Sequence, residues 1–314
     1  MLEIDGNLCF DPAKIAHHFN EFFTNIASNL VNKLPASCGM FSVNSSTFQD
    51  YYGSKLGGST RLSLSHVTED FIEKELRGLN ATKSTGLDNI PARFLKDGAS
   101  ILKTPITHIV NLSITTSTVP KEFKIAKVKP LYKKSKQTDV GNYRPVSILN
   151  IVSKVMEKAI YIQLENYLVQ NNLLYKHQSG FRQSFSTDSC LIHLLDFIKC
   201  QSSRGLYTGL VMLDLQKAFD TVNHDILLGK LKAMGLESVE WFRSYLSERS
   251  QVVNIGKTLS EPLDVTCGVP QGSLWVHFCF FVISTTWKLV SILIASSCCM
   301  LMTVPSFFHI KILK

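Results

Sequence analysis

The sequence predicts a mixed α/β (α+β) chain, and three patterns predict it. Apolar residues recur at helical spacing over residues 10–35 and again over 151–171. Residues 126–132 alternate apolar and polar in the manner of a strand. Residues 209–215 form a short apolar run carrying Asp214 near its end, which reads as a buried strand.

Taken in order, Asp11-Pro12 supplies an N-cap followed by a proline that the first helical turn accepts. Ile15, Phe19, Phe22, Phe23 and Ile26 then fall on one helical face. Residues 36–66 are rich in Ser, Gly and Thr and read as a linker or loop. A helix resumes over 68–79, where Thr68 can cap and Glu69 and Asp70 suit the first turn. From about 80 to 275 short β-like runs mix with amphipathic helices, and Phe219 is expected to begin one.

The 314 residues are 45% hydrophobic and 18% charged, a globular composition. A formal net charge of +8 fits a polyanionic partner, nucleic acid first, and equally a solvated basic surface. The eight cysteines show no paired metal spacing and read as free thiols of a reducing compartment. Glu3 and Asp5, with no long apolar run beside them, exclude a signal peptide reading of the first residues.

Three segments carry chemistry. In 213–220, Leu-Asp-Leu-Gln-Lys-Ala-Phe-Asp, a carboxylate ends an apolar strand, a costly place unless a cation pairs with it. Mg²⁺ is a natural partner for such an oxygen donor. Alternatively Asp214 caps a turn and Phe219 is core. In 268–273, Gly-Val-Pro-Gln-Gly-Ser, the glycines and proline shape a turn that lets backbone approach a ligand, with Gln271 able to hydrogen-bond a base or phosphate; an ordinary loop is the alternative. Lys121, Lys124, Lys127, Lys129, Lys133, Lys134 and Lys136 precede 142–147, Asn-Tyr-Arg-Pro-Val-Ser. Arg144 offers a bidentate fork for phosphate oxygens and the lysines offer point charges. A solvated basic hairpin fits the composition as well.

The ordered set Lys83-Ser84-Thr85-Gly86-Leu87-Asp88, then 142–147, then Gln178-Ser179-Gly180-Phe181-Arg182, then 213–220, then 268–273, resembles the reverse transcriptase of non-LTR (LINE-type) retrotransposons. The resemblance covers about 80–274. It implies an RNA-directed DNA polymerase with right-hand architecture, here fingers and a partial palm. Three domains are then expected: 1–66 a helical linker region, 67–274 fingers and partial palm, and 275–314 an apolar tail. By resemblance, Asp214 is the catalytic, metal-binding carboxylate for Mg²⁺ (or Mn²⁺). Phe219 is the steric gate against a ribose 2′-hydroxyl. Lys133, Arg144, Gln271 and Gly272 serve the incoming deoxynucleoside triphosphate, and Lys83, Gly180 and Arg182 grip the RNA template or RNA–DNA hybrid. Asp220 and Asp225 are expected to be caps or surface acids. Nuclear or cytoplasmic localisation follows from the family alone.

The family carries further aspartates in a Tyr-Ala-Asp-Asp hairpin after the 268–273 motif, and two metals need them. No Asp or Glu follows Asp264 here, so the palm hairpin and thumb are expected to be missing and the chain inactive. Reading codons from the third base of one codon and the first two of the next gives an account. Trp275-Val276 forces glycine, Val276-His277 permits proline, and 282–286 permits Tyr-Ile-Asn-Asp. Residues 299–303 permit Tyr-Ala-Asp-Asp, with the last aspartate forced by Met302-Thr303. A single reading-frame change near Leu274 is therefore expected, with 275–314 out of frame. The competing reading of the tail is a membrane anchor over 289–308, which has no charged side chain.

Overall fold

The computed structural model describes residues 1–32, 45–56, 60–174, 179–180, 182, 184–208 and 217–284. Their strands are β1 (Leu2–Ile4), β2 (Asn7–Cys9), β3 (Ile125–Tyr132), β4 (Tyr143–Ile148), β5 (Arg249–Ile255), β6 (Thr258–Leu259) and β7 (Leu263–Val265). Their helices are α1 (Pro12–Thr24), α2 (Ile26–Val31), α3 (Ser45–Gly53), α4 (Glu69–Arg77), α5 (Ala92–Asp97), α6 (Ala99–Thr116), α7 (Ile151–Gln170), α8 (Thr187–Ser203), α9 (His224–Ala233), α10 (Val239–Leu246) and α11 (Trp275–Ser284). The mixed α/β expectation holds.

One five-stranded sheet organises the site. Its order is β4-β3-β5-β6, with β7 also paired to β5. β3 runs antiparallel to β4 and parallel to β5. Alternation along β3 places Ala126 and Val128 on one face, buried against Phe19, Phe23 and Ile26. Lys127 and Lys129 therefore face the other way. The β3–β4 register sets Leu131 opposite Arg144 and Lys129 opposite Val146, so Arg144 shares that cationic face. A helical layer built on α4, α6, α7, α9, α10 and α11 holds the larger core, around Trp241, Tyr245, Met156, Ile160 and Leu164.

α1 begins as expected: the Asp11 carboxylate accepts from Ala13 N at 2.9 Å. It is fixed to the sheet by a buried polar lock. Asn20 Nδ2 donates to Ser260 Oγ (3.0 Å) and to the Glu261 carbonyl (2.8 Å), and Gln251 Nε2 donates to Asn20 Oδ1 (3.0 Å). The stretch expected as a linker thus shares a core with the sheet. Thr68 caps α4, accepting from Phe71 N. β3 and α7 fall where the sequence put them.

Two local expectations are corrected. Residues 45–53, read as loop, form α3, because fully buried Tyr52 packs it into the larger core. Phe219 begins no helix. Residues 217–220 form a turn, opened by Lys217 at φ 54° and closed by hydrogen bonds from Asp220 N and Thr221 N to the Lys217 carbonyl, and α9 starts only at His224. Among the described residues no helix is long and apolar enough to cross a membrane, and 289–308 lies outside them.

Candidate nucleotide and template site

The sheet ends on β4, and the free edge of β4 receives the 268–273 loop. Ser147 N donates to the Gln271 carbonyl at 2.8 Å. Gly272 sits at φ 142°, and a Cβ there would stand 2.1 Å from the Ser147 carbonyl oxygen. Only a glycine allows this approach without displacement. Gly268, at φ 79°, is pressed against the backbone of Asp220 in the same way, with 2.7 Å between a would-be Cβ and the Asp220 carbonyl oxygen.

The turn at 217–222 holds the other side of the loop. Gly268 N donates to the Val222 carbonyl (2.8 Å) and Val269 N to the Phe219 carbonyl (2.9 Å). His224 Nε2 lies 2.7 Å from the Gly268 carbonyl oxygen, which can only accept, so Nε2 carries the proton. Gln271 Nε2 donates to Asp220 Oδ1 at 2.7 Å. Asp220 is therefore not a surface acid: burial raises its carboxyl pKa while the Gln271 amide pulls it back, and Oδ2 is sealed from solvent without a hydrogen-bond partner among the described residues. Asp225 stays exposed in the first turn of α9, as expected.

The end of the loop is tied to α7. Glu157, fully buried, accepts from Leu274 N (3.0 Å) and from the Tyr245 hydroxyl (2.7 Å). Desolvation raises its pKa against those two hydrogen bonds and the nearby Arg249 guanidinium. Arg249 is buried as well, donating to the Tyr245 carbonyl and lying 4.7 Å over the Tyr245 ring. The 83–88 segment docks just past the same, C-terminal end of β4, at Asn150. A Cβ on Gly86 would meet Asn150 Oδ1 at 2.3 Å.

Four of the five sequence motifs, far apart in the chain, therefore meet at one strand and the helix after it. Arg144 lies on β4 three residues from Ser147, half-buried, and makes no ion pair among the described residues. Lys133 is exposed just past β3, its backbone N donating to the Asn142 carbonyl. Phe219 is half-buried and packs against the larger core. Lys83 is exposed, close enough to Lys154 to lower that residue's pKa beyond the effect of burial. Gly180 and Arg182 precede α8, with the Arg182 guanidinium 4.3 Å over the Phe185 ring. Asp214 lies outside the described residues. A cavity of about 40 Å³ between Pro145, Ser147, Asp220, Arg249 and Gln271 has room for water but not for a nucleotide.

Sequence reasoning missed His224, Glu157 and the inward turn of Asp220. Glu157 left a signal: it sits three residues before Ile160 and seven before Leu164, at core spacing on a helix. Among the described residues no group of three or more His, Cys, Asp or Glu side chains could hold a metal ion. Asp220 has Oδ1 engaged by Gln271 and Oδ2 sealed from solvent. Asp214, the carboxylate expected to bind a metal, lies outside the described residues.

Comparison with known proteins gives the family. The family model described as Reverse transcriptase (RNA-dependent DNA polymerase) matches residues 131–280. The chain is 32% identical over 218 residues to the RNA-directed DNA polymerase from mobile element jockey of Drosophila melanogaster, covering 68% of this chain and 24% of that protein. It is 29% identical over 221 residues to the probable RNA-directed DNA polymerase from transposon BS of the same organism, with 68% and 24% covered. To the probable RNA-directed DNA polymerase from transposon X-element it is 29% identical over 171 residues, with 54% and 19% covered. The chain spans about a quarter or less of the length of these relatives. Its matching segment begins in β3 and ends in α11, enclosing the β4 edge, the turn that clamps the 268–273 loop and the loop itself, and the chain belongs to the reverse transcriptase family of non-LTR, LINE-type retrotransposons.

Proposed function

We propose that this chain carries the fingers and part of the palm of an RNA-directed DNA polymerase, and that the β4 edge is its nucleotide pocket. The observation that carries the reading is the docking of Gln271 and Gly272 on Ser147, three residues from the half-buried Arg144. A half-buried guanidinium with no ion pair among the described residues suits a phosphate ligand. In this reading Arg144 and Lys133 hold the triphosphate, Gln271 and Gly272 line its pocket, and Phe219 gates the sugar. Lys83, Gly180 and Arg182 contact an RNA template or RNA–DNA hybrid. The cationic face of Lys127, Lys129 and Arg144 adds sequence-tolerant backbone contacts.

Mg²⁺ or Mn²⁺, where bound, stabilises charge on the transferring phosphate. Asp214 is the carboxylate proposed to hold it. We propose further that 275–314 arose by a frame change, and that residues 265–314, which hold no Asp or Glu, supply no carboxylate to a two-metal site. Primer extension on an RNA template with Mg²⁺ is expected to give no product, and templated product would overturn this reading. Binding to an RNA–DNA hybrid is expected to persist and to weaken with salt. Arg144→Ala or Lys133→Ala should lower the slope of log affinity against log salt by about one unit each. An unchanged slope in both variants would remove the pocket assignment.

A further inference from the structure

We propose that Asp220 is the positioning residue for Gln271, fixing which end of its amide the nucleotide meets. This rests on the reading of the β4 edge as a nucleotide pocket. The backbone of the 217–222 turn already docks the loop through Phe219 and Val222. The carboxylate adds what those bonds do not supply, a direction for one side chain. A free glutamine amide can turn either end outward. An ionised carboxylate only accepts, so Nε2 must face Asp220. No other hydrogen bond of the half-buried Gln271 side chain is found among the described residues, which leaves Oε1 for the ligand. The pocket therefore presents an acceptor, and the group it recognises is a hydroxyl or amino donor of the nucleotide. Phosphate oxygens, which only accept, are left to Arg144.

Asp220 is itself held firmly enough to do this. Its turn is closed by the bond from Asp220 N to the Lys217 carbonyl, and Gly268 packs on its backbone. His224, two residues past Val222, grips the Gly268 carbonyl, so the loop cannot slide along the turn.

Two measurements test the assignment. The first needs no nucleotide. In protein labelled with ¹⁵N-glutamine, the side-chain amide of Gln271 is identified by its loss in Gln271→Ala. It is expected to exchange slowly with solvent in the wild-type chain, to be released in Asp220→Ala, and to be restored in Asp220→Asn, whose carbonyl oxygen still accepts. A freely exchanging Gln271 amide in the wild-type chain overturns the proposal whatever the nucleotide does. The second is equilibrium binding of deoxythymidine triphosphate to the chain loaded with RNA–DNA hybrid. Asp220→Ala should weaken it about tenfold, the worth of one charge-assisted hydrogen bond, and Asp220→Asn less than threefold. Asp220→Ala in a Gln271→Ala background should cost nothing more, whereas a full additional loss would show that Asp220 acts through the fold and overturn the proposal. Absence of triphosphate binding in the wild-type chain with a protected Gln271 amide would instead defeat the pocket reading and leave the Asp220–Gln271 pair standing.

Discussion

Helices α7 and α8 are of similar length, and each follows a sequence motif, yet they are held in opposite ways. α7 buries ten of its twenty residues and ties together the β4 edge, the larger core and the end of the 268–273 loop. α8 buries only Cys190 and Leu194 and leaves Leu191, Ile192 and Leu195 exposed. Its own local signals are good, with a Ser186–Ser189 capping box. The difference teaches that capping and periodicity make a helix, while the number of elements able to pack on it decides how much it stabilises the fold.

Substitutions along the two helices should reproduce that contrast. Leu164→Ala, at a fully buried position of α7, is expected to cost about 3 kcal/mol in denaturant unfolding. A loss below about 1 kcal/mol would mean α7 is not the keystone. Gly272→Ala should cost about 2 kcal/mol and separate the loop from β4, read as lost triphosphate binding, since a methyl meets the Ser147 backbone. Glu157→Gln gives a smaller effect with a defined pH dependence. Burial raises the folded-state pKa of Glu157 above its unfolded value, so the folded chain holds that proton more tightly. Stability from this group is complete below the ordinary carboxylate range and declines as pH rises through the raised value. The cost of Glu157→Gln, about 1 kcal/mol at pH 5, should therefore shrink by pH 8. A cost that grew with pH would contradict the sign. Ile192→Ser on α8 should stay within about 0.5 kcal/mol and reduce light scattering on concentration, because it removes exposed apolar surface.

Much of the fold was legible where local physics decides it. Thr68 capped α4, the alternation of 126–132 made β3, and the apolar spacing after Ile151 made α7. α3 was hidden, because Ser45, Ser46 and Thr47 disfavour a helix and only the burial of Tyr52 against distant elements stabilises one. The site was legible as a set of motifs but not as a geometry. Gly272 could be read as permissive from its type, but that its partner is the Ser147 carbonyl depends on which edge of the sheet is free. Asp220 looked like a surface acid because nothing in a turn sequence announces that another loop will cover it. Residues 209–216, where a strand bearing Asp214 is expected, and the 289–308 segment lie outside the described residues.

The parallel pairing of β3 with β5 joins Ile125 to Ser250, and the Asn20–Gln251 lock joins positions 231 residues apart. Contacts of such sequence separation form late and slow folding. During synthesis, at about 5–20 residues per second, α1 waits some 10–50 s for its partner strand to leave the ribosome. Until β5 joins β3 and β4, Phe19, Phe22 and Phe23 have only part of their sheet cover. The helix locked to β5 in the finished protein is thus expected to expose aromatic surface on the nascent chain, which would show as binding to chaperones that hold such segments.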